Sequence, residues 1–251
     1  MTDLAHPAPQ LTGTAFARAL CEAHRTNTRF VPTGPVPGNS DEAFAAQAAV
    51  MEEFGPVGAF KVADKAGQPF VMAPIRADRI FESGADVPII DEAGIELEVG
   101  FEVLSSLPEG ADLATLVHHI WPRPVIEVVD TRIAGPLAND PYVKLADLQA
   151  NSAIVVGPRA TAWDRSDFGS MVAQLTCGDM HVLDGETMVP GGSALNILAK
   201  LTKRIGEHCG GLQPGQMIIT GSLNGLPYFP AGQKVRGKIE MLGDVSLRLT
   251  R

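Results

Sequence analysis

The sequence predicts an α+β chain, in which an amino-terminal helical segment at 1–56 precedes a mixed, mostly β body at 57–251. Two observations support this prediction. Apolar residues recur with helical spacing before residue 56 and with a period of two after it. The 26 glycines and 19 prolines also indicate many turns. The helices are too few for a repeating βα array, and we expect the two segments to form a single structural unit.

The amino-terminal segment carries the pattern of two helices. Residues 11 to about 26 place three apolar side chains on one stripe, namely Phe16, Leu20 and Ala23. A loop rich in proline and glycine follows at 31–40. Ser40 is then predicted to cap a second helix, which ends at Gly55.

The body beyond residue 56 is expected to be mainly strands. Helices are predicted only at 112–120 and at 193–209, the second with an apolar stripe that faces the core. Hairpins are predicted at 171–186 and 234–250. Single strands are predicted at 58–64, 70–75, 95–104, 124–130, 152–157 and 216–222.

Composition and charge exclude several classes of protein. The 29 acidic and 20 basic residues give a net charge of −9, whereas a nucleic-acid-binding protein would need a basic face. The apolar runs are too short to cross a bilayer, and the first ten residues lack the features of a signal peptide. Three widely spaced cysteines fit neither a disulfide framework nor a zinc site. We therefore expect a reduced, cytoplasmic enzyme or binding protein that contacts neither nucleic acid nor membrane.

The segment at 95–103 alternates strictly between apolar and mostly acidic residues. One interpretation is a half-buried strand with a solvated acidic face. The other is a cation site, because residues two apart on a strand lie roughly 6.6 Å apart, so that Glu96 and Glu98 could converge on one ion. Glu102 lies too far along the strand to join the same site.

A further glutamate, Glu127, interrupts a run of β-branched residues that predicts a buried central strand. Burying an unpaired carboxylate costs several kcal/mol, so Glu127 needs a partner. Arg123 and Arg132 flank the strand and could form an ion pair with it. Alternatively, Glu96, Glu98 and Glu127 together would suit a hard cation such as Mg²⁺ or Mn²⁺.

Lys61 lies within a short predicted strand and has two interpretations. It is either an exposed strand lysine or, beside a carboxylate-bound metal, a group that binds an anionic substrate or moves a proton. His118 and His119 are expected to end a helix as structural residues. Asp147 and Asn151 are expected on one face of a short helix, where they cap or bridge.

These pieces together resemble the 2-keto-4-pentenoate hydratases of the fumarylacetoacetate hydrolase superfamily. The matching segments follow the family's order over nearly the whole chain. They begin with a lysine-bearing strand at 55–62, a Glu-x-Glu strand at 94–104 and the strand of a third glutamate at 124–132. The stretch after that strand, at 144–157, and a carboxyl-terminal segment with a Thr-Gly-Ser stretch, at 212–249, complete the match.

The resemblance implies a body of the fumarylacetoacetate hydrolase type and a role for each matching residue. Glu96, Glu98 and Glu127 would hold Mg²⁺ or Mn²⁺, and Lys61 would be the catalytic lysine. The substrate would contact Thr220, Gly221 and Ser222. The activity implied is that of a hydro-lyase of aromatic-compound catabolism, which adds water to a 2-hydroxy-2,4-dienoate to give a 4-hydroxy-2-oxo acid. A homo-oligomer is also implied, with a decarboxylase as a candidate partner.

Three alternatives stay open at this point. The same site would serve a 2-oxo diacid decarboxylase of the 4-oxalocrotonate type, or a hydrolase that cleaves a carbon–carbon bond in an acylpyruvate. The third is a non-catalytic partner subunit of a hydratase–decarboxylase complex. It stays open because residues 62–65 read Val-Ala-Asp-Lys, where many hydratases carry Gly-x-Thr-Ser.

Overall fold

The structure is a computed structural model that describes residues 15–64, 70–108 and 110–251. It contains five α-helices among these residues, and the amino-terminal pair is where the sequence predicts it. The bounds are α1 Ala15–Thr26, α2 Ser40–Phe54, α3 Leu113–Leu116, α4 Pro141–Ala146 and α5 Ala194–Thr202.

The helix ends differ from the prediction at several points. The N-cap of α2 is Asn39 rather than Ser40, because the Asn39 side chain accepts a hydrogen bond from the Glu42 amide. The helix predicted at 112–120 is the single turn α3, and α5 ends at Thr202. His118 and His119 therefore follow α3 rather than lie in its last turn. Residues 11–14 of the first predicted helix lie outside the described residues.

The strands form the larger part of the fold, which confirms the predicted α+β class. Each predicted strand is present within a few residues of its expected bounds. Three short strands, β3, β4 and β11, were not predicted. The thirteen described strands are β1 Val57–Ala63, β2 Val71–Arg76, β3 Ile80–Glu82, β4 Ala85–Pro88, β5 Glu92–Val103, β6 Ile120–Val129, β7 Asn151–Val156, β8 Ser170–Cys177, β9 Met180–Met188, β10 Met217–Ser222, β11 Tyr228–Pro230, β12 Lys234–Ile239 and β13 Gly243–Thr250.

The strands form two sheets. One has eight strands, in the order β2-β1-β10-β5-β6-β7-β3, with β11 paired to β5. The other has five, in the order β4-β13-β12-β8-β9. The apolar side chains of β5 that alternate with its glutamates pack in one core with β12 and β13 of the smaller sheet. The close approach of Leu97 to Gly237 marks this contact between the sheets.

The amino-terminal helices pack on a different part of the body. Leu20 of α1 and Val50 of α2 form an apolar cluster with Val143 and Leu145 of α4. A turn at Leu148–Ala150 follows α4, and all three of its residues have positive φ angles between 49° and 57°. This turn leads directly into β7. Asp147 caps α4 and Asn151 begins β7, so the two do not share a helix face as predicted.

No helix among the described residues combines the length and the apolar character that a membrane span requires.

Candidate metal centre and active site

The register of the large sheet brings residues from distant parts of the chain together. Glu96 of β5 lies directly opposite Glu127 of β6, and residues opposite each other in a ladder share a face. Glu98 lies two residues further along β5, opposite Ser222 of β10. Lys61 belongs to β1, which pairs with the other edge of β10.

The three glutamates form one cluster of carboxylates. One carboxylate oxygen from each of Glu96, Glu98 and Glu127 lies within 4.8 Å of the others. Glu127 is 0% exposed and Glu98 is 2% exposed, so the interpretation of a solvated acidic face is wrong for this part of β5. Glu102 stays apart from the cluster, as expected, and binds Arg159 and Arg123.

The partner of Glu127 is Lys61, and not either arginine suggested by the sequence. The Lys61 Nζ atom donates to Glu127 Oε1 at 2.6 Å and to the Gln149 carbonyl at 3.4 Å. Arg132 instead pairs with Asp147 at 2.7 Å, and Arg123 points to carboxylates outside the cluster. The lysine side chain is only 11% exposed, which excludes the interpretation of an exposed strand lysine.

Two further groups orient the carboxylates, in a role that the sequence had not indicated for either of them. The Asn151 amide donates to Glu127 Oε1 at 2.7 Å, and the Gly221 backbone amide donates to Glu98 Oε2 at 2.7 Å. In contrast, Glu127 Oε2 is buried without a hydrogen-bond partner among the described residues. Asn151 lies in a segment that resembles the family, but its contact depends on the β6–β7 pairing.

The clustering of like charges perturbs their ionisation. Burial and then the charge of Glu127 raise the pKa of Glu96 to about 7. Burial, Glu127 and Glu96 raise the pKa of Glu98 well above its usual range. Burial opposes the charge on Lys61, but the three glutamates outweigh it and raise the pKa of this lysine. Lys61 is therefore cationic, while the cluster lacks positive charge to balance three ionised carboxylates.

The donor set of the cluster fits a hard divalent cation. The ligands are carboxylate oxygens alone, which favours Mg²⁺ or Mn²⁺ over softer metals. The unpartnered Glu127 Oε2 is a buried acceptor that a cation would satisfy. Glu96, Glu98 and Glu127 are the residues that could hold such an ion.

A cavity of about 400 Å³ opens over the cluster. Lys61, Glu96 and Glu98 line it together with Gly221 and Ser222, whereas Thr220 does not. The Thr220 side chain is buried, and its hydroxyl donates to the Val99 carbonyl at 2.9 Å. The Ser222 hydroxyl donates to the Gly225 carbonyl at 2.6 Å. Lys144 and Gln149 complete the polar part of the wall.

Comparison with known proteins supports the resemblance described above. Two curated proteins of Dechloromonas aromatica (strain RCB), 2-keto-4-pentenoate hydratase 2 and 2-keto-4-pentenoate hydratase 1, are 30% and 29% identical over 159 residues. The alignment covers 62% of this chain and spans 58% of the length of each relative. No family model matches the chain.

Solved structures give a longer match. The 4-oxalocrotonate decarboxylase from Pseudomonas putida G7, complexed with magnesium and adipate, is similar with a TM-score of 0.77 at 18% identity, over 98% of this chain and 99% of that chain. The fumarylpyruvate hydrolase from Pseudomonas aeruginosa, in complex with Mn²⁺ and pyruvate, gives a TM-score of 0.58 at 14% identity, over 78% and 91%. The chain therefore has the fumarylacetoacetate hydrolase fold. Within that fold, its sequence is similar to the 2-keto-4-pentenoate hydratases.

Proposed function

We propose that this protein is a divalent-metal-dependent hydratase, which adds water to a 2-hydroxy-2,4-dienoate and forms a 4-hydroxy-2-oxo acid. The observation that carries the proposal is the three-glutamate cluster beside a buried cationic lysine, at the base of a cavity. The sequence similarity to 2-keto-4-pentenoate hydratases supports the choice of reaction.

In this proposal, the residues around the cavity either hold the metal ion or position its ligands. Glu96, Glu98 and Glu127 would hold Mg²⁺ or Mn²⁺, and the bound ion would supply Lewis acidity that stabilises negative charge on the oxygens of the substrate head. Asn151 and Gly221 keep Glu127 and Glu98 in position through their hydrogen bonds.

We assign two roles to Lys61 as the catalytic residue: it transfers protons, and it supplies positive charge. Its side chain lines the cavity and its Nζ atom contacts Glu127, so in this proposal it binds the anionic substrate and offsets the charge of the glutamates. The wall at Gly221 and Ser222 would contact the substrate carboxylate. Thr220 would act through its position beneath this wall, because its hydroxyl is already bonded to the Val99 carbonyl.

The reaction balances with water alone. Loss of the 2-hydroxyl proton and protonation at carbon 5 convert the dienol into a conjugated 2-oxo-3-enoate. Water then adds at carbon 4, and a proton is taken up at carbon 3. Both steps deliver a proton to a carbon of the substrate, and in this proposal the Lys61 ammonium, which lines the cavity, donates it and recovers a proton from the 2-hydroxyl or from the attacking water.

Calorimetric titration with Mg²⁺ in the presence of oxalate tests the metal site. Oxalate imitates the two oxygens of a 2-oxo acid head. We expect saturable binding that is lost in Glu127→Gln, a variant that keeps the shape of the side chain but removes its charge. Glu102→Gln is the matched control, because Glu102 lies on the same strand but binds arginines outside the cluster.

Two results would contradict the proposed site. One is full Mg²⁺ affinity in Glu127→Gln. The other is no binding of either Mg²⁺ or Mn²⁺ by the unmodified protein, which would favour the non-catalytic partner subunit.

Light scattering of the purified protein, alone and with a decarboxylase, tests the homo-oligomer and the partner proposed from the resemblance.

A product assay by NMR separates the hydratase from the alternatives. A hydratase gives a new carbinol proton at carbon 4 of the product. A decarboxylase releases CO₂ from a 2-oxo diacid, and an acylpyruvate hydrolase gives two fragments. Either of these last two outcomes, in a protein that binds the metal, would contradict the proposed hydratase reaction but not the proposed metal site.

A further inference from the structure

A second cavity, of about 280 Å³, lies between the end of α1 and the connection from β2 to β3. Its lining is strongly basic, since four arginines and a histidine face it together with only one carboxylate among the described residues. These charged or titratable lining residues are Arg25, Arg76, Arg79, Arg132, His24 and Asp78.

Three of the four arginines are neutralised by carboxylates within the chain. Arg132 is buried and donates to Asp147, and Arg76 donates to Asp78 through two nitrogens. The more exposed Arg25 pairs with Glu22 and Glu53. The charges of these three arginines therefore have local partners, and the net charge of the cavity depends on the fourth, Arg79.

Arg79 has no carboxylate partner among the described residues. Its guanidinium donates to the Ser152 carbonyl at 2.7 Å, to the Ser152 hydroxyl at 3.3 Å and to the Pro88 carbonyl at 3.5 Å. Burial lowers the pKa of Arg79, and the charges of Arg76 and Arg132 add to this, against the opposing charges of Asp78 and Asp130. A partly buried cation thus lies beside other cations, and the two carboxylates whose charges act on it, Asp78 and Asp130, are bonded to Arg76 and to Arg29 rather than to Arg79.

His24 provides a second, independent indication of a ligand. Its side chain is only 7% exposed, and its Nε2 atom has no hydrogen-bond partner among the described residues. The nearest carboxylate oxygen, Asp147 Oδ1, lies 3.7 Å away and already accepts from Arg132 at 2.7 Å. Buried polar atoms almost always have a partner, so an acceptor in the cavity would complete this site.

We propose that this cavity binds a small oxyanion, a phosphate or a carboxylate, with Arg79 and His24 as its principal donors. A neutral imidazole can donate from Nε2, so the proposal requires no protonated histidine. The guanidinium supplies charge-assisted hydrogen bonds of the kind that oxyanions favour. The site is separate from the acidic cluster, although Asn151 lines this cavity and also donates to Glu127.

Calorimetric titration of the full chain with inorganic phosphate tests the proposal, at constant ionic strength and against chloride as the reference anion. We expect one saturable site per chain. Parallel titrations with sulfate and succinate distinguish a preference for tetrahedral anions from a preference for dicarboxylates. Arg79→Gln should weaken binding at least about 10-fold, because a charge-assisted bond is lost.

A second variant keeps the test valid if Arg79→Gln fails to fold. Asn27 lines the cavity, is exposed and has a positive φ of 52°, which aspartate also tolerates. Asn27→Asp adds a negative charge at the mouth of the cavity and should weaken phosphate binding about 5-fold. Arg248→Gln is the matched control, because it removes an exposed arginine that pairs with Asp86 and does not line the cavity, so binding should be unchanged.

The possible outcomes separate this site from others. Phosphate held by a metal ion at the acidic cluster would be lost in Glu127→Gln and kept in Arg79→Gln, and that pattern would overturn the proposal. Equal losses in Arg248→Gln and Arg79→Gln would show non-specific attraction and also overturn it. No saturable binding of any of the three anions, with a change of oligomeric state in Arg79→Gln, would instead assign the cavity to a carboxylate of a second copy.

Discussion

Among the residues that the structure describes, Lys61 is the cation in direct contact with the three-glutamate cluster. Its Nζ atom contacts Glu127, while Glu98 and Glu96 act on it through their charge. The sequence indicated that Glu127 needs a partner, because a carboxylate in a run of β-branched residues is expensive to bury. It did not indicate which partner, since Lys61 reaches Glu127 only when β10 is inserted between β1 and β5.

We predict that Lys61→Met destabilises the metal-free protein by about 3–5 kcal/mol, because it leaves the buried carboxylates of Glu98 and Glu127, and the partly exposed Glu96, without the cation that contacts Glu127. Urea unfolding monitored by circular dichroism measures the change. Lys200→Met is the control, since Lys200 pairs with Asp64 near the surface and should cost less than about 1 kcal/mol. Equal losses in the two variants would show that Lys61 is not the main counter-charge of the cluster.

At the scale of elements, the sequence predicts strands and long helices better than their ends. The alternation in β5 and the stripe of α5 are strong signals that need no tertiary context. The strands β3, β4 and β11 have three or four residues each, too few for a recognisable period. The sequence predicts the turn at Leu148–Ala150 as part of a helix. None of its three residues is glycine or asparagine, so nothing in the sequence indicates three consecutive left-handed conformations.

The N-cap of α2 provides a direct test of such an end. Asn39 accepts from the Glu42 amide at 3.0 Å, and its own side-chain amide donates to the Glu42 carboxylate at 3.0 Å. Asn39→Ala should therefore lower the free energy of unfolding by about 1 kcal/mol. Ser40→Ala should cost little, because Ser40 is the first helical residue. The reverse order in urea unfolding would support the cap predicted from the sequence.

A partly buried histidine, His208, connects α2 to the turn at 208–210. The His208 ring bonds to the Gln47 side chain at 2.8 Å, and Gln47 in turn donates to the Leu145 carbonyl. Burial lowers the pKa of His208 to about 4 from an ordinary value of 6.5. Between these values the unfolded state binds more protons than the folded state, so stability falls as the pH is lowered through this range.

We predict that the wild-type protein loses about 2 kcal/mol more than His208→Gln when the pH falls from 7 to about 4.5. Urea unfolding of both proteins at both pH values gives this difference. The glutamate cluster titrates in both proteins, so its contribution cancels in the comparison. His181→Gln replaces an exposed histidine and should retain the wild-type slope. An unchanged slope in His208→Gln would mean that this ring titrates equally in both states.

At the scale of the whole molecule, two sheets approach closely beside Gly157. A Cβ atom at this position would lie 2.7 Å from Pro124 Cγ and 2.9 Å from the Asp244 carbonyl of β13. Because backbone atoms cannot move aside easily, Gly157→Ala should cost about 1–3 kcal/mol. Thermal unfolding measures the loss. Gly34→Ala is the control, since a Cβ there would meet no atom within 4 Å.

The members of the acidic cluster were predictable from the sequence, but their arrangement was not. Charge placement within single strands indicated Glu96, Glu98 and Glu127 and made Lys61 a candidate, and the resemblance gave Lys61 its role and added residues 220–222. The basic cavity was not predicted, because its arginines are far apart in the sequence and each is unremarkable alone. The order of the strands decides which of them meet.

The position of β10 has a consequence for how the chain is made. This strand separates β1 from β5 in the large sheet, yet it lies at Met217–Ser222, near the end of the sequence. During synthesis Lys61 and the glutamates emerge long before the strand that brings them together. Contacts with such large sequence separation form slowly. The pairing of Lys61 with the acidic cluster therefore has to wait until β10 has been synthesised, and a chain released before that point would leave Glu127 without its lysine.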